Sequence, residues 1–145
     1  MRILGVDYGR RRIGLAVSDE AQFLARPLDP YHRTHSRKRD LEAIARTARE
    51  QEAGCIVFGL PLNMDGSKGE MVLEVEAFVQ DLRPLINMDI VVSDERLTSV
   101  EAERVLLQGN VKRKDRKLLR DGLAATLILQ GYLDSLPNLD ETHSK

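Results

Sequence analysis

Three acidic residues stand where apolar segments of the chain begin or end, at positions usually taken by apolar side chains. Asp7 lies near the end of the first apolar run, Glu95 follows a valine-rich run, and Asp121 opens a long apolar segment. Carboxylate oxygens are hard ligands that suit Mg²⁺ or Mn²⁺. If the fold brings the three residues together, they form a site for divalent cations.

Asp7 belongs to residues 3–9, Ile-Leu-Gly-Val-Asp-Tyr-Gly, a run with the length of a strand buried on both faces. A carboxylate there loses water, and an unpaired buried charge is costly unless its pKa shifts until it is neutral. We therefore expect a partner for Asp7, either a metal ion or a basic side chain. The following turn carries Arg10, Arg11 and Arg12, so a turn cap or an arginine partner remains the alternative.

Residues 89–98 read as a short strand that leads into a helix. Thr98 and Glu101 have the spacing of a capping box, which leaves Asp94 and Glu95 without a capping role. Ligand sites in α/β sheets lie at the carboxyl ends of strands. Because successive side chains of an extended segment point to opposite sides, we expect only one of the two acids to face the site. Solvation at the surface is the alternative for either.

Asp121 has the phase of a buried helical position. It lies on one stripe with Ala124, Ala125, Ile128 and Tyr132, which follow it at helical spacing. The predicted helix spans 117–136, so Asp121 is also close to its start, where the helix dipole favours an anion. A structural acid in the first turn is therefore the alternative to a metal ligand.

Composition favours a single intracellular domain. The chain has 145 residues and a formal net charge of −1, which excludes a uniformly basic nucleic-acid coat but not local basic patches. Cys55, the only cysteine, is expected to be a buried, reduced core residue. No apolar run approaches 18 residues and no secretion signal is visible, so we expect a soluble, cytoplasmic protein.

The pattern of elements predicts an α/β fold. The order is βββαβαβαα, which favours a mixed five-stranded sheet with an antiparallel three-strand start and helices on both faces. We expect a domain over 1–136 and a disordered tail over 137–145. The predicted elements are a hairpin over 2–19, a strand over 21–28 that Pro27 and Pro30 end, a loop over 31–36, a helix over 37–53, a strand over 55–60, a helix that starts from a capping box of Ser67 and Glu70, a strand over 89–93, and helices over 98–108 and 117–136.

Four segments, in order along nearly the whole chain, resemble the YqgF/RuvX family: residues 5–9, 59–67, 94–98 and 121–125. The resemblance implies a ribonuclease H-like fold, similar to that of RuvC-type Holliday-junction resolvases. It also implies a nuclease that matures the 5′ end of pre-16S rRNA, with Asp7, Glu95 and Asp121 as its acidic site. RuvC-type sites carry four acids, whereas position 124 of this chain is Ala.

The acids and the resemblance agree on one mechanism. Two Mg²⁺ or Mn²⁺ ions about 3.5 to 4 Å apart can activate water and stabilise the leaving oxygen of a phosphodiester. Asp7, on the central strand, is the expected bridging ligand. Zinc is disfavoured because the three histidines, His32, His35 and His143, lie in a loop and the tail, where we expect plain surface residues. A DNA junction resolvase, which would need a homodimer, and a non-catalytic nucleic-acid-binding factor are the alternatives to an RNA endonuclease, which could be a monomer.

Two basic clusters flank the predicted acids and could bind the phosphates of a nucleic acid, whether pre-rRNA or a ribosomal particle. Lys68 adds a cation at the start of a predicted helix, a further candidate phosphate site. Either cluster could instead be solvated surface. The predicted nucleic-acid-binding residues are Arg10, Arg11, Arg12, Lys68, Lys112, Arg113, Lys114, Arg116 and Lys117.

Overall fold

The protein is described from a computed structural model, which covers residues 1–94 and 113–137, with the backbone alone over 113–121. The predicted helix over 98–108 and nearly all of the predicted tail lie outside these residues. The elements are β1 (Arg2–Asp7), β2 (Arg12–Ser18), β3 (Ala25–His32), α1 (Arg37–Glu50), β4 (Ala53–Leu60), α2 (Glu70–Leu82), a 3-10 turn (Arg83–Leu85), β5 (Asp89–Asp94) and α3 (Arg113–Ser135).

The five strands form one mixed sheet in the order β3-β2-β1-β4-β5. β2 is antiparallel to both β1 and β3, whereas β4 is parallel to both β1 and β5. This topology confirms the predicted sheet with its antiparallel three-strand start. It also brings the carboxyl ends of β1, β3, β4 and β5 to one edge of the sheet, which we call the carboxyl edge.

Helices cover both faces of the sheet, as predicted. α1 and α2 pack on one face, where α2 buries one stripe of apolar residues: Val72, Val75, Phe78, Val79 and Leu82. α3 packs on the other face through Ala125, Ile128, Leu129 and Leu133, against Ile3, Ala16, Cys55 and Val57. The single cysteine is thus a free, buried core residue.

Close packing fixes where α3 crosses the central strand. A Cβ atom added at Gly5 would lie 2.7 Å from Leu129 Cβ and 3.1 Å from the Ala125 carbonyl oxygen. Real Cβ atoms do not approach that closely, so glycine is needed at this point of β1. Gly5 lies two residues before Asp7, and its contact with α3 sets the distance between the helix and that part of the strand.

The third strand was predicted too early. β3 spans Ala25–His32 and contains Pro27 and Pro30, the two residues expected to end it. β3 is an edge strand, and its register with β2 shifts between Ile13 and Leu15. Proline is tolerated at edges and bulges because no ladder hydrogen bond from its nitrogen is required there. The predicted loop over 31–36 is accordingly shorter.

Three other boundaries were also wrong. α2 begins after Gly69, and Ser67 does not cap it; instead the Ser67 N–H donates to Asp65 Oδ1 at 2.8 Å, so no capping box with Glu70 forms. α1 ends at Glu50, and β4 already begins at Ala53. α3 extends back at least to Arg113, which places Asp121 about two turns inside the helix. The first-turn explanation of Asp121 is therefore wrong.

Candidate metal site at the carboxyl edge

Asp7 is the last residue of β1 and reaches the carboxyl edge between two apolar layers. Its neighbours in sequence, Val6 and Tyr8, are buried, while Asp7 itself keeps partial exposure. Burial raises the pKa of Asp7 from its ordinary value of 3.8 to about 6. Desolvation alone causes this shift, since it disfavours the charged form.

No neighbouring group compensates the Asp7 carboxylate within the part of the chain that the structure describes. Arg10, one of the arginines considered as a partner, instead donates to Glu74, with 2.6 Å between Nη2 and Oε2. No hydrogen bond or ion pair joins Asp7 to another described side chain. A carboxylate in this setting is stabilised by a divalent cation, so the environment of Asp7 fits a metal ligand.

The register of the parallel strands shows which side of the sheet Asp7 faces. Val6 pairs with Phe58, so Asp7 comes next to the level of Gly59, which in turn pairs with Ser93. Two strand spacings separate the backbones of Asp7 and Ser93, about 9.5 Å. Side chains at one level of parallel strands share a face, so Asp7 and Ser93 face α3, whereas Asp94 faces the opposite side and is exposed.

The path of α3 brings its amino-terminal half toward the carboxyl edge. Ala125 and Leu129 cross β1 at Gly5, whereas an added Cβ at Gly122 would lie 2.8 Å from Pro27 Cβ and 3.6 Å from the carbonyl oxygen of Leu15, so that turn of the helix lies over β2 and β3. Leu15 pairs with Val6, the residue before Asp7. The helix backbone therefore advances toward the carboxyl edge in the direction of Asp121.

That Asp7, Glu95 and Asp121 lie close together in the fold stays a prediction. Glu95 lies outside the described residues, and only the backbone of Asp121 is described. Among the side chains that are described, no group of three potential ligands is close enough to hold a metal ion. The structure thus gives the environment of Asp7 and the path of the backbone that carries Asp121.

Some of the predicted phosphate-binding residues are already paired with acids. Besides its bond to Glu74, Arg10 lies 3.8 Å from Glu70, and Lys68 Nζ lies 3.1 Å from Glu76 Oε2. Arg11, in the turn beyond Asp7, and Arg12, the first residue of β2, are exposed. Lys112 falls outside the described residues, and the side chains of Arg113, Lys114, Arg116 and Lys117 are likewise not described.

A buried ionic cluster beside the turn at Asp7 was not predicted from the sequence. Asp40, in the first turn of α1, is only 1% exposed and accepts hydrogen bonds from Tyr31 Oη at 2.9 Å and Arg33 Nε at 3.0 Å. Thr34 donates to the same carboxylate from its N–H and its hydroxyl, each at 3.0 Å. Burial alone would raise the pKa of Asp40, but these hydrogen bonds outweigh it and lower that pKa.

A signal for this cluster was present in the sequence. Asp40 precedes Ile44 by four residues and Ala48 by eight, so it continues the apolar stripe of α1, as Asp121 continues that of α3. Arg33 left no such signal because it lies in an irregular segment without periodicity.

A family model described as "RuvX: Holliday junction resolvase" matches residues 1–135. The chain belongs to the RuvX family. A relative from Halalkalibacterium halodurans named "Putative pre-16S rRNA nuclease" is 46% identical over 135 residues, covering 92% of this chain and 96% of the relative. A relative of the same name from Thermoanaerobacter pseudethanolicus is 45% identical over 139 residues, covering 95% and 99%.

Solved structures support the fold assigned to this RuvX chain. "T. thermophilus RuvC in complex with Holliday junction substrate" matches with a TM-score of 0.57 and 14% identity, over 92% of this chain and 93% of that one. "Thermus thermophilus RuvC structure" matches with a TM-score of 0.50 and 13% identity, over 92% and 94%. The fold is therefore ribonuclease H-like, as predicted. None of the described helices combines the length and apolar character that crossing a membrane requires.

Proposed function

We propose that this protein is a metal-dependent endonuclease that matures the 5′ end of pre-16S rRNA. The observation that carries the proposal is the Asp7 carboxylate, which is desolvated and uncompensated at the carboxyl edge. Family membership and the names of the relatives support a nuclease acting on this RNA. A factor that only binds nucleic acid would gain nothing from an unpaired carboxylate beside phosphates.

The proposed ligand set is Asp7, Glu95 and Asp121, with Asp7 central. Asp94 faces the side of the sheet opposite to Asp7, which supports Glu95 over Asp94 as the ligand. The path of α3 supports Asp121. Bound Mg²⁺ or Mn²⁺ would activate the attacking water and stabilise the leaving oxygen.

Other residues of the chain would exclude water and bind the phosphates of the substrate. With ions bound, the acids would orient the scissile phosphate through those ions, and the apolar layers beside Asp7 would limit access of bulk water. Arg11 and Arg12, with the basic residues of 112–117, bind neighbouring phosphates. Acids of α2 already neutralise part of the charge of Arg10 and Lys68, so each contributes less to phosphate binding than a fully solvated cation would.

A substrate panel tests the proposal. Purified protein is incubated with Mg²⁺ or Mn²⁺ and, in parallel, with a pre-16S leader RNA, an unrelated single-stranded RNA, a DNA duplex and a four-way DNA junction of matched length. We expect metal-dependent cleavage of the leader RNA at a defined position. Preferred cleavage of the junction would make this chain a resolvase instead, and binding without cleavage of any substrate would make it a binding factor.

Single substitutions test the ligand set. Asp7→Asn, Glu95→Gln and Asp121→Asn should each abolish cleavage while the protein stays folded by circular dichroism. Asp94→Asn is the matched control, because it removes the same charge from the other face of the same strand end, and it should retain cleavage. If Asp94→Asn abolishes cleavage and Glu95→Gln does not, the two residues exchange roles in the mechanism.

A further inference from the structure

Arg33 contacts the turn beyond Asp7 at three points. Its Nη1 donates to Tyr8 Oη at 2.9 Å and to the Gly9 carbonyl oxygen at 3.2 Å. Its backbone N–H donates to the Arg11 carbonyl oxygen at 2.9 Å. One residue thus binds the side chain or backbone of three of the four residues that follow Asp7.

The guanidinium of Arg33 is itself held in one orientation. Asp40 accepts from its Nε and is tied to residues on both sides of Arg33, namely Tyr31 and Thr34. The guanidinium carbon lies 5.0 Å from the centre of the Tyr8 ring and 5.8 Å from that of Phe78. The Arg33 side chain is only 13% exposed, so few alternative rotamers are open to it.

Stability alone is a weak reason for such a cluster. Desolvation of a buried ion pair offsets much of its Coulombic gain, and apolar residues of similar volume often stabilise a core as well or better. What an apolar replacement could not do is fix a carbonyl and a hydroxyl of the Asp7 turn in defined positions. Groups that do not touch a metal ion commonly hold its ligands in the orientation that binding requires, through hydrogen bonds.

We infer that Arg33 is a positioning residue that fixes the turn over residues 8–11, and through it the Asp7 carboxylate, for metal binding. The inference rests on the proposed function of Asp7. Arg33 makes its contacts with Tyr8, Gly9, Arg11 and Asp40, and it acts on the chemistry only through Asp7.

The experiment compares Arg33→Lys with Arg37→Lys. Arg37 is a close match, because it also pairs with an aspartate, Asp81, at 2.9 Å, and its guanidinium carbon lies 5.6 Å from the centre of the same Phe78 ring. No hydrogen bond joins Arg37 to residues 8–11 within the described chain. Lysine keeps the charge at either position, but one ammonium cannot reproduce the forked contacts of Arg33 with Asp40, Tyr8 and Gly9.

Three readouts are measured well below the melting temperature: deuterium uptake of the peptide that spans residues 7–12, apparent Mn²⁺ affinity, and kcat and KM on the leader RNA. For Arg33→Lys we expect faster uptake in that peptide, Mn²⁺ affinity and kcat lower by about 10-fold to 100-fold, and KM within about twofold of the parent value. Arg37→Lys should leave all three unchanged.

Uptake at parental levels in a folded Arg33→Lys protein would overturn the inference, as would unchanged Mn²⁺ affinity. If Arg33→Lys does not fold, Tyr8→Phe replaces it: this change removes one of the three anchors and keeps the ring against Phe78, whose centre lies 5.3 Å away. For Tyr8→Phe too, parental deuterium uptake or unchanged Mn²⁺ affinity would overturn the inference. Loss of the proposed function is recognised separately, since a parent protein that neither cleaves RNA nor binds Mn²⁺ shows that Asp7 is not a metal ligand, whatever Arg33 does to the turn.

Discussion

Arg10 directs its guanidinium at Glu74 of α2, with 2.6 Å between Nη2 and Oε2, and not at Asp7 three residues earlier. The exposed pair holds the turn against α2, although its own energetic contribution is small. The pair also means that Arg10 does not compensate the charge of Asp7. A cation that the sequence placed within reach of the carboxylate is already engaged elsewhere.

Asp7→Asn should therefore stabilise the protein in chelator. The raised pKa of Asp7 corresponds to about 3 kcal/mol of unfavourable free energy for its charge at pH 7, which asparagine does not carry. In a chain of this size each kcal/mol moves the melting temperature by about 2 to 4 °C. Differential scanning calorimetry in chelator measures the increase.

The same substitution should remove most of the stabilisation by millimolar Mn²⁺, because an ion that binds only the native state stabilises it in proportion to RT ln(1 + [L]/Kd). If Asp7 were a turn cap or an arginine partner, Asp7→Asn would melt at a lower temperature than the parent in chelator and respond to Mn²⁺ as the parent does. The two explanations thus predict opposite signs.

The pKa of Asp7 also predicts a pH dependence. The native state binds its proton more tightly than the unfolded state, so the contribution of Asp7 to stability falls as pH rises from about 4 to about 6 and stays low above. Asp40 has a lowered pKa, and its contribution changes with the opposite sign at acid pH. Urea unfolding of the parent and Asp7→Asn at matched pH values isolates Asp7 as the difference between them. A difference that does not change between pH 4 and 7 contradicts the raised pKa.

Metal binding should follow the same titration in the opposite direction. Asp7 must be ionised to bind a cation, so apparent Mn²⁺ affinity should rise as pH passes about 6 and level off above it. Isothermal titration between pH 5 and 8 measures this. Affinity that is independent of pH across that range would mean that Asp7 is not a ligand.

Neutralising Lys112, Arg113 and Lys114 together should weaken binding to all RNA sequences alike. The slope of log affinity against log salt should flatten by about 0.7 to 0.9 for each phosphate that the protein no longer neutralises. A matched control neutralises Arg46, Arg49 and Arg83, three exposed arginines near the carboxyl ends of α1 and α2, away from the carboxyl edge. Equal slopes for the parent and the first variant would mark 112–114 as solvated surface.

Gly5→Ala should destabilise the protein by about 1 to 3 kcal/mol, because its methyl group would overlap Leu129 and force α3 away from β1. Gly131→Ala is the control, since nothing lies within 4 Å of a Cβ there. That change, in the exposed interior of α3, should stabilise by about 0.5 to 1 kcal/mol. Denaturant unfolding measures both. If Gly5→Ala left the free energy of unfolding unchanged, α3 could shift away from β1 without loss of stability.

The sheet and its layers were predictable because periodicity reports burial directly. The stripes of α1 and α2 and the apolar runs of β1 and β4 specify which residues face inward, and the element order then limits the topology. Local chemistry was less informative. The spacing of Ser67 and Glu70 fits a capping box, but the Ser67 N–H donates to Asp65 instead of to Glu70. Pro27 and Pro30 read as strand breakers because sequence alone does not show that β3 lies at an edge.

The desolvated environment of Asp7 was predictable, because a charged residue within an apolar run is visible in the sequence. The raised pKa of Asp7 agrees with the expected desolvation. The cluster around Arg33 was not predictable, because Arg33 makes its three contacts with a turn more than twenty residues away in the chain. Contacts of that kind have no local pattern, so only a structure reveals them.

The prolines of β3 also affect how the sheet meets other molecules. An edge strand presents free N–H and C=O groups that can recruit a strand from another chain, the first step of sheet-mediated aggregation. Proline nitrogens cannot donate, and the register shift that accompanies Pro30 distorts the ladder beside it. The outer side of β3 is thereby a poor template for a continuous intermolecular sheet, and self-association by strand addition is disfavoured along that edge.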